Sequence, residues 1–127
     1  MVLDTATWIW RASDPKRLSA SARRALDQTE HLLVSAISVW EVAMLVAKRR
    51  IQLDRPVELW VDMALALPAI QLAPLDPAIA VRSTQLPGEF HADPADRIIV
   101  ATALENAMQV VTPDERIRCY PHVRSTW

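Results

Sequence analysis

The sequence predicts an α/β domain built around a short, mainly parallel sheet. Two patterns predict that class. Short apolar runs alternate with longer stretches of helical periodicity, which is the signature of strands joined by helical crossovers. The helical stretches also open repeatedly on Ser or Asp, with Pro directly behind Asp at 76–77 and 93–94. No repeat, low-complexity tract or linker divides the 127 residues, so the expectation is one domain, 1–127, with one sizeable core.

Met1 to Leu3 reads as the first strand and ends on Asp4. A helix start follows around Trp8, Ile9 and Trp10, then a second helix from Ser19, a plausible N-cap, through Leu26. Leu32-Leu33-Val34 is the second strand. It leads into a strong helix that begins at Ser35 or Ser38 and ends near Arg49. Asp54 as N-cap, with Pro56 in the first turn, predicts a helix to about Leu67. Ile70 to Leu75 is the third strand, and Asp76-Pro77 opens a helix that stops before Pro87-Gly88. Asp93-Pro94 opens the next helix, which carries Ile98, Ile99 and Leu104. Gln109 to Thr112 is the fourth strand, Asp114 to Cys119 a short helix, and Val123 marks a short last strand.

Composition removes several kinds of chemistry. The single glycine, Gly88, against nine prolines cannot supply a Walker loop, a dinucleotide fingerprint or a nucleophile elbow. One cysteine, Cys119, forms neither an internal disulfide nor a thiolate metal cluster, and is read as a small buried hydrophobe. His31, His91 and His122 are scattered, with no pair spaced i, i+4. The N-terminus has no signal-peptide pattern, and the longest apolar run, Val42 to Ala47, is too short for a bilayer. The expected setting is therefore the cytoplasm, with no membrane contact. Trp8, Trp10, Trp40 and Trp60 are read as core or dimer surface rather than base-stacking platforms. The bases Lys48, Arg49 and Arg50 suit a helix C-terminus, or RNA phosphates.

Acidic residues recur where such a sheet binds ligands, outside the carboxyl ends of its strands. Asp4 follows the first strand and Glu41 lies early in the helix after the second. Asp93 and Asp96 begin the helix before the fourth strand, and Asp114 lies just beyond that strand. Carboxylates gathered there need a cation to offset their repulsion, and hard oxygen donors favour Mg²⁺ or Mn²⁺. Each acid also has a local reading. Asp4, Asp93 and Asp114 suit helix caps, and Glu41 could close a capping box with Ser38.

Taken in order, the residues resemble the PIN-domain family, and specifically VapC-type ribonuclease toxins. The strings are Leu3-Asp4-Thr5, then Ser35 to Ala43 with Trp40-Glu41 at its centre, then His91-Ala92-Asp93-Pro94-Ala95-Asp96-Arg97-Ile98-Ile99-Val100-Ala101. Val111-Thr112-Pro113-Asp114 and Trp127 close the match. The resemblance implies a three-layer α/β/α sandwich and a Mg²⁺- or Mn²⁺-dependent endoribonuclease. It carries the catalytic and metal-holding roles onto Asp4, Glu41, Asp96 and Asp114, with Asp93 as cap or additional ligand. Thr112 becomes a supporting hydroxyl, and Arg97 a residue that contacts substrate or pairs with an acid. It also implies a homodimer and a cognate VapB-type antitoxin that blocks the site. Two other readings stand beside it: a catalytically silent PIN-like binding module, and a receiver-type signalling domain. The receiver reading lacks the adjacent acids after the first strand and the late lysine, because the lysines are Lys16 and Lys48.

Overall fold

In the computed structural model, which describes residues 1–127, five strands make one sheet. They are β1 (Val2–Leu3), β2 (Leu32–Ser35), β3 (Ile70–Ala73), β4 (Val110–Val111) and β5 (Ser125–Thr126). Their order is β3-β2-β1-β4-β5 and every adjacent pair is parallel. The chain runs outward from β1 to β2 and β3, then returns to the other side of β1 for β4 and β5. The carboxyl ends of β1 and β4 therefore flank the point where strand order reverses, the usual ligand crevice of open α/β sheets. The 2-1-3-4-5 order of receiver-like folds is different, which removes the signalling reading.

The helices are α1 (Thr5–Ser13), α2 (Ala20–Asp27), α3 (Ala36–Ala47), α4 (Val57–Leu65), α5 (Pro77–Thr84), α6 (Pro94–Glu105) and α7 (Glu115–Arg118), with a 3-10 turn at Pro15–Arg17. Strand alternation sorts them into two outer layers. Val2 and Val110 point into a core with Ile79 of α5, Ile99 and Val100 of α6, and Ile117 of α7. Leu3, Val111, Leu32 and Val34 point the other way, against Trp8 of α1, Leu26 of α2, Val42 of α3 and Trp60 of α4. The sheet is thus packed on both faces, and its strands read as apolar runs for that reason.

The element starts follow the capping residues. Ser19, Ser35, Asp76 and Asp93 each accept a backbone N–H from the helix they open. Ser35, not Ser38, caps α3, so Glu41 lies in the helix body and closes no capping box.

Several expectations need correction. α1 begins at Thr5, earlier than the aromatic cluster suggests, because Asp4 caps it. Asp54 caps nothing. Pro56, extended at φ −52° and ψ 144°, holds the N-cap position, and Asp54 is ion-paired with Arg55 at 3.0 Å. The last strand forms at Ser125–Thr126, and Val123 is a core residue instead. Cys119 is exposed at the end of α7 rather than buried. The tryptophans divide: Trp8 and Trp60 are core, Trp10 lies beside Trp127 under the Arg17 guanidinium, and Trp40 is 58% exposed. No helix is long and apolar enough to cross a membrane.

Candidate active site

Asp4 is fixed from two sides. As N-cap of α1 its Oδ1 accepts the Thr7 N–H at 2.8 Å, and its Oδ2 accepts the Thr112 hydroxyl at 2.5 Å. Thr112, fully buried at the end of β4, in turn accepts the Asp114 N–H at 3.0 Å. One hydroxyl therefore ties together two acids more than a hundred residues apart in sequence. Burial pushes the Asp4 carboxyl above the ordinary carboxylate range. The Thr112 and Thr7 hydrogen bonds pull it partly back, and the Asp96 charge adds to the rise.

Glu41 faces α1 across the site. The Thr5 hydroxyl hydrogen-bonds the Glu41 carboxylate and lies 2.9 Å from the buried Ser38 hydroxyl. Burial raises Glu41, the Thr5 bond lowers it, and the charges of Asp96, Asp93 and Asp4 raise it further. That mutual repulsion joins residues drawn from two separate helices and a strand end.

Asp93 caps α6 by accepting the Asp96 N–H at 3.2 Å. Asp96, one turn in, accepts from His91 Nε2 at 2.7 Å and from Arg116 at 3.2 Å. It too is raised, by burial first and then by Asp93 and Asp114, with His91 opposing. Asp114 caps α7 and is paired with Arg116 at 2.8 Å, and the Arg116 hydrogen bond holds it below the usual range. Asp4, Glu41, Asp93, Asp96 and Asp114 all line one cleft of about 490 Å³. A larger depression of about 610 Å³ lies beside Trp127, but Glu115 is its only acid, so charge rather than size marks the site. As placed, no three of these side chains converge closely enough to ligate one ion.

Arg97 does not form the acid pair that was one of its two expected roles. Its guanidinium donates to the backbone carbonyls of Ser83 at 2.7 Å, Phe90 at 2.9 Å and His91 at 3.2 Å, and pairs with no acid. It clamps the loop that presents His91, because those carbonyls end or lie outside helices and lack intrahelical partners. Thr5, Ser38, His91 and Arg116 were not anticipated as part of the site. Thr5, Ser38 and His91 do lie within the family-like stretches around Asp4, Glu41 and Asp93, but nothing local says where a hydroxyl or imidazole will point.

The sequence profile of the PIN domain matches residues 1–123. This chain belongs to the PIN-domain family. It is 37% identical over 124 residues to ribonuclease VapC22 of Mycobacterium tuberculosis, covering 98% of this chain and 94% of that protein. Among solved structures, this PIN domain resembles a toxin–antitoxin complex from Klebsiella pneumoniae, with TM-score 0.69 and 25% identity over 96% of this chain and 93% of that one. The VapBC2 complex of Rickettsia felis, bound to promoter DNA, shares the PIN fold at TM-score 0.71 and 14% identity, covering 98% and 95% of the two chains.

The raised acids make the PIN cleft a source of instability. In the window between the ordinary carboxylate range and a raised value, folded Glu41 keeps a proton that the unfolded chain has lost. Stability therefore falls as pH rises through that window, and the full penalty stands above it. Glu41→Gln keeps an acceptor for Thr5 and removes the charge. In chelator it is expected to melt higher than wild type at pH 7.5, with the gain shrinking towards pH 4. A melting temperature below wild type at pH 7.5 would contradict this account of Glu41.

Proposed function

We propose that this chain is an endoribonuclease toxin, cutting RNA phosphodiester bonds in the cleft of Asp4, Glu41, Asp96 and Asp114. The observation that carries this reading is that four acids, distant in sequence, line one cleft at the switch point of a PIN sheet. The 37% identity to a ribonuclease over nearly the whole chain supports the same chemistry.

By ligand chemistry the donor set suits a hard divalent ion, and because no three side chains converge as placed, holding one would require them to draw together. All ligand candidates are carboxylate oxygens, three are pushed up by burial and neighbouring charge, and the cleft lining contains a single full cation, Arg116. Asp4, Glu41, Asp96 and Asp114 would hold Mg²⁺ or Mn²⁺, with Asp93 at the rim. When bound, such an ion supplies Lewis acidity towards a phosphodiester and acidifies water. The protein's own part is positional. Thr7 and Thr112 fix both oxygens of Asp4, Thr5 orients Glu41, and His91 with Arg116 orients Asp96. No serine, cysteine or histidine lines the cleft, and in this reading the attacking group is a water.

As a toxin the chain would act in the cytoplasm as a homodimer and be neutralised by a VapB-type antitoxin. Antitoxin side chains that reach this acidic cleft would be basic. The test is cleavage of total RNA by the purified protein. Cutting is expected in Mg²⁺ or Mn²⁺, loss of cutting in excess chelator, and recovery on adding the ion back. Undiminished cutting in chelator would remove the ion from the reading, and intact RNA under every condition would remove the nuclease.

A further inference from the structure

A strand of RNA entering this cleft meets Asp4, Glu41, Asp93, Asp96 and Asp114, and among the lining residues only Arg116 carries an opposing full charge. Its placement is specific. The Arg116 backbone N–H is held by Asp114 Oδ1 at 2.8 Å, which fixes the root of the side chain. The guanidinium then reaches forward, Nε to Asp114 Oδ1 at 3.2 Å and Nη2 to Asp114 Oδ2 at 2.8 Å and Asp96 Oδ2 at 3.2 Å. Nη1 has no protein acceptor, and the side chain is 58% exposed, at the boundary between cleft and water.

Ion pairs this exposed are weak and exchange readily. A guanidinium presents its donors in a planar fork that suits phosphate as well as carboxylate. Nor can Arg116 stay where it is if cations gather at Asp96 and Asp114, because like charges would then share one site.

We propose that Arg116 is the phosphate-contacting residue of this cleft: it neutralises Asp96 and Asp114 while the site is empty of RNA, and passes to a backbone phosphate of the bound strand. This rests on the nuclease reading above. Arg118, two residues further along α7, is exposed in the separate depression near Trp127 and supplies a control with the same change of charge.

The experiment is steady-state cleavage of a short single-stranded RNA in Mn²⁺ across a salt series, with calorimetric Mn²⁺ binding measured without RNA. For Arg116→Gln the expectation is a KM raised about tenfold with kcat changed far less. The log–log salt dependence of kcat/KM should flatten by about 0.7, one phosphate contact fewer on a single strand. Mn²⁺ affinity should be equal to wild type or tighter. Arg116→Lys should recover part of the KM, and Arg118→Gln should leave it near wild type. An unchanged KM in Arg116→Gln, weakened Mn²⁺ binding, or an equal KM rise in Arg118→Gln would each overturn the assignment. A wild-type protein that cuts no RNA would overturn the nuclease reading and this one with it, whereas active wild type with an indifferent Arg116→Gln overturns Arg116 alone.

Discussion

Asp4→Asn is expected to lower RNA cleavage by about 10³-fold or more, roughly 4 kcal/mol of transition-state stabilisation, with little change in melting temperature. The two halves of that expectation have different origins. Asn keeps an oxygen for the Thr7 N–H, so the cap of α1 survives. Its amide can donate to Thr112 Oγ1, reversing the bond that the carboxylate accepts from that hydroxyl. What vanishes is the negative charge at a position 6% exposed, between β1 and β4. That charge is held against its own desolvation, and folding does not need it. Neutralising it is expected to leave stability at pH 7.5 level or slightly higher, because the buried carboxylate is raised in pKa.

The measurement is single-turnover cleavage beside a thermal melt of the same preparation. Full activity in Asp4→Asn would dismiss the mechanism, and a melting temperature lowered by more than about 5 °C would mean that the charge also holds the fold. A catalytically silent binding module gives a third pattern, with no metal-dependent cutting by either protein. Thr112→Val is the natural companion. It removes the donor to Asp4 Oδ2 and the acceptor of the Asp114 N–H together, so an activity loss of about 10–100-fold is expected, now with some loss of stability.

The sequence carried much of this site because its acids do two jobs. Asp4, Asp93 and Asp114 were open to a capping reading and a functional one, and the structure makes all three caps while lining the cleft with them. Capping chemistry places a carboxylate at a helix N-terminus, and parallel strand order gathers those N-termini on one edge. Local pattern and topology therefore agree there. Glu41 differs: nothing local demands it, and the visible sign is that it breaks an apolar stripe between Ile37 and Leu45, its i−4 and i+4 neighbours. What stayed hidden depends on side-chain direction across distant elements. The Thr5–Glu41 and Thr112–Asp4 contacts arise only once α3 and β4 are set against α1 and β1. Arg97 shows the limit from the other side. Its sequence neighbourhood suggests an acid or substrate partner, but carbonyls at the end of α5 and in the loop before α6 take its Nε and Nη1 donors in place of an acid. Cys119 is a related case, since short-range pattern does not say which side of a turn meets solvent.

Trp60→Ala is expected to cost about 3–5 kcal/mol of stability, a fall in melting temperature on the order of 15 °C. Trp60 is fully buried, 5.1 Å from Trp8 in an edge-to-face pair, and the two indoles join α4 to α1. Trp60 Nε1 donates to Ser13 Oγ at 2.8 Å and Trp8 Nε1 to the Ala64 carbonyl at 3.3 Å, so the two helices hold each other at two points. Truncation removes one of the two largest fully buried side chains and leaves a cavity that a sheet packed on both faces cannot collapse to fill. Trp60→Phe keeps most of the volume and is expected to cost about 1–2 kcal/mol. Trp40→Ala, at a side chain 58% exposed, should fall within about 0.5 kcal/mol of wild type. Urea unfolding of the three variants checks the ranking, and a Trp60→Ala loss no greater than that of Trp40→Ala would refute the core assignment. The consequence reaches the active site, because Asp4 caps α1 and the seat of that helix depends on this pair. Trp60→Ala should therefore lose RNA cleavage steeply on warming and regain much of it in the cold, where the fold persists. Asp4→Asn should be equally inactive at both temperatures, since its defect is a missing charge on an intact scaffold.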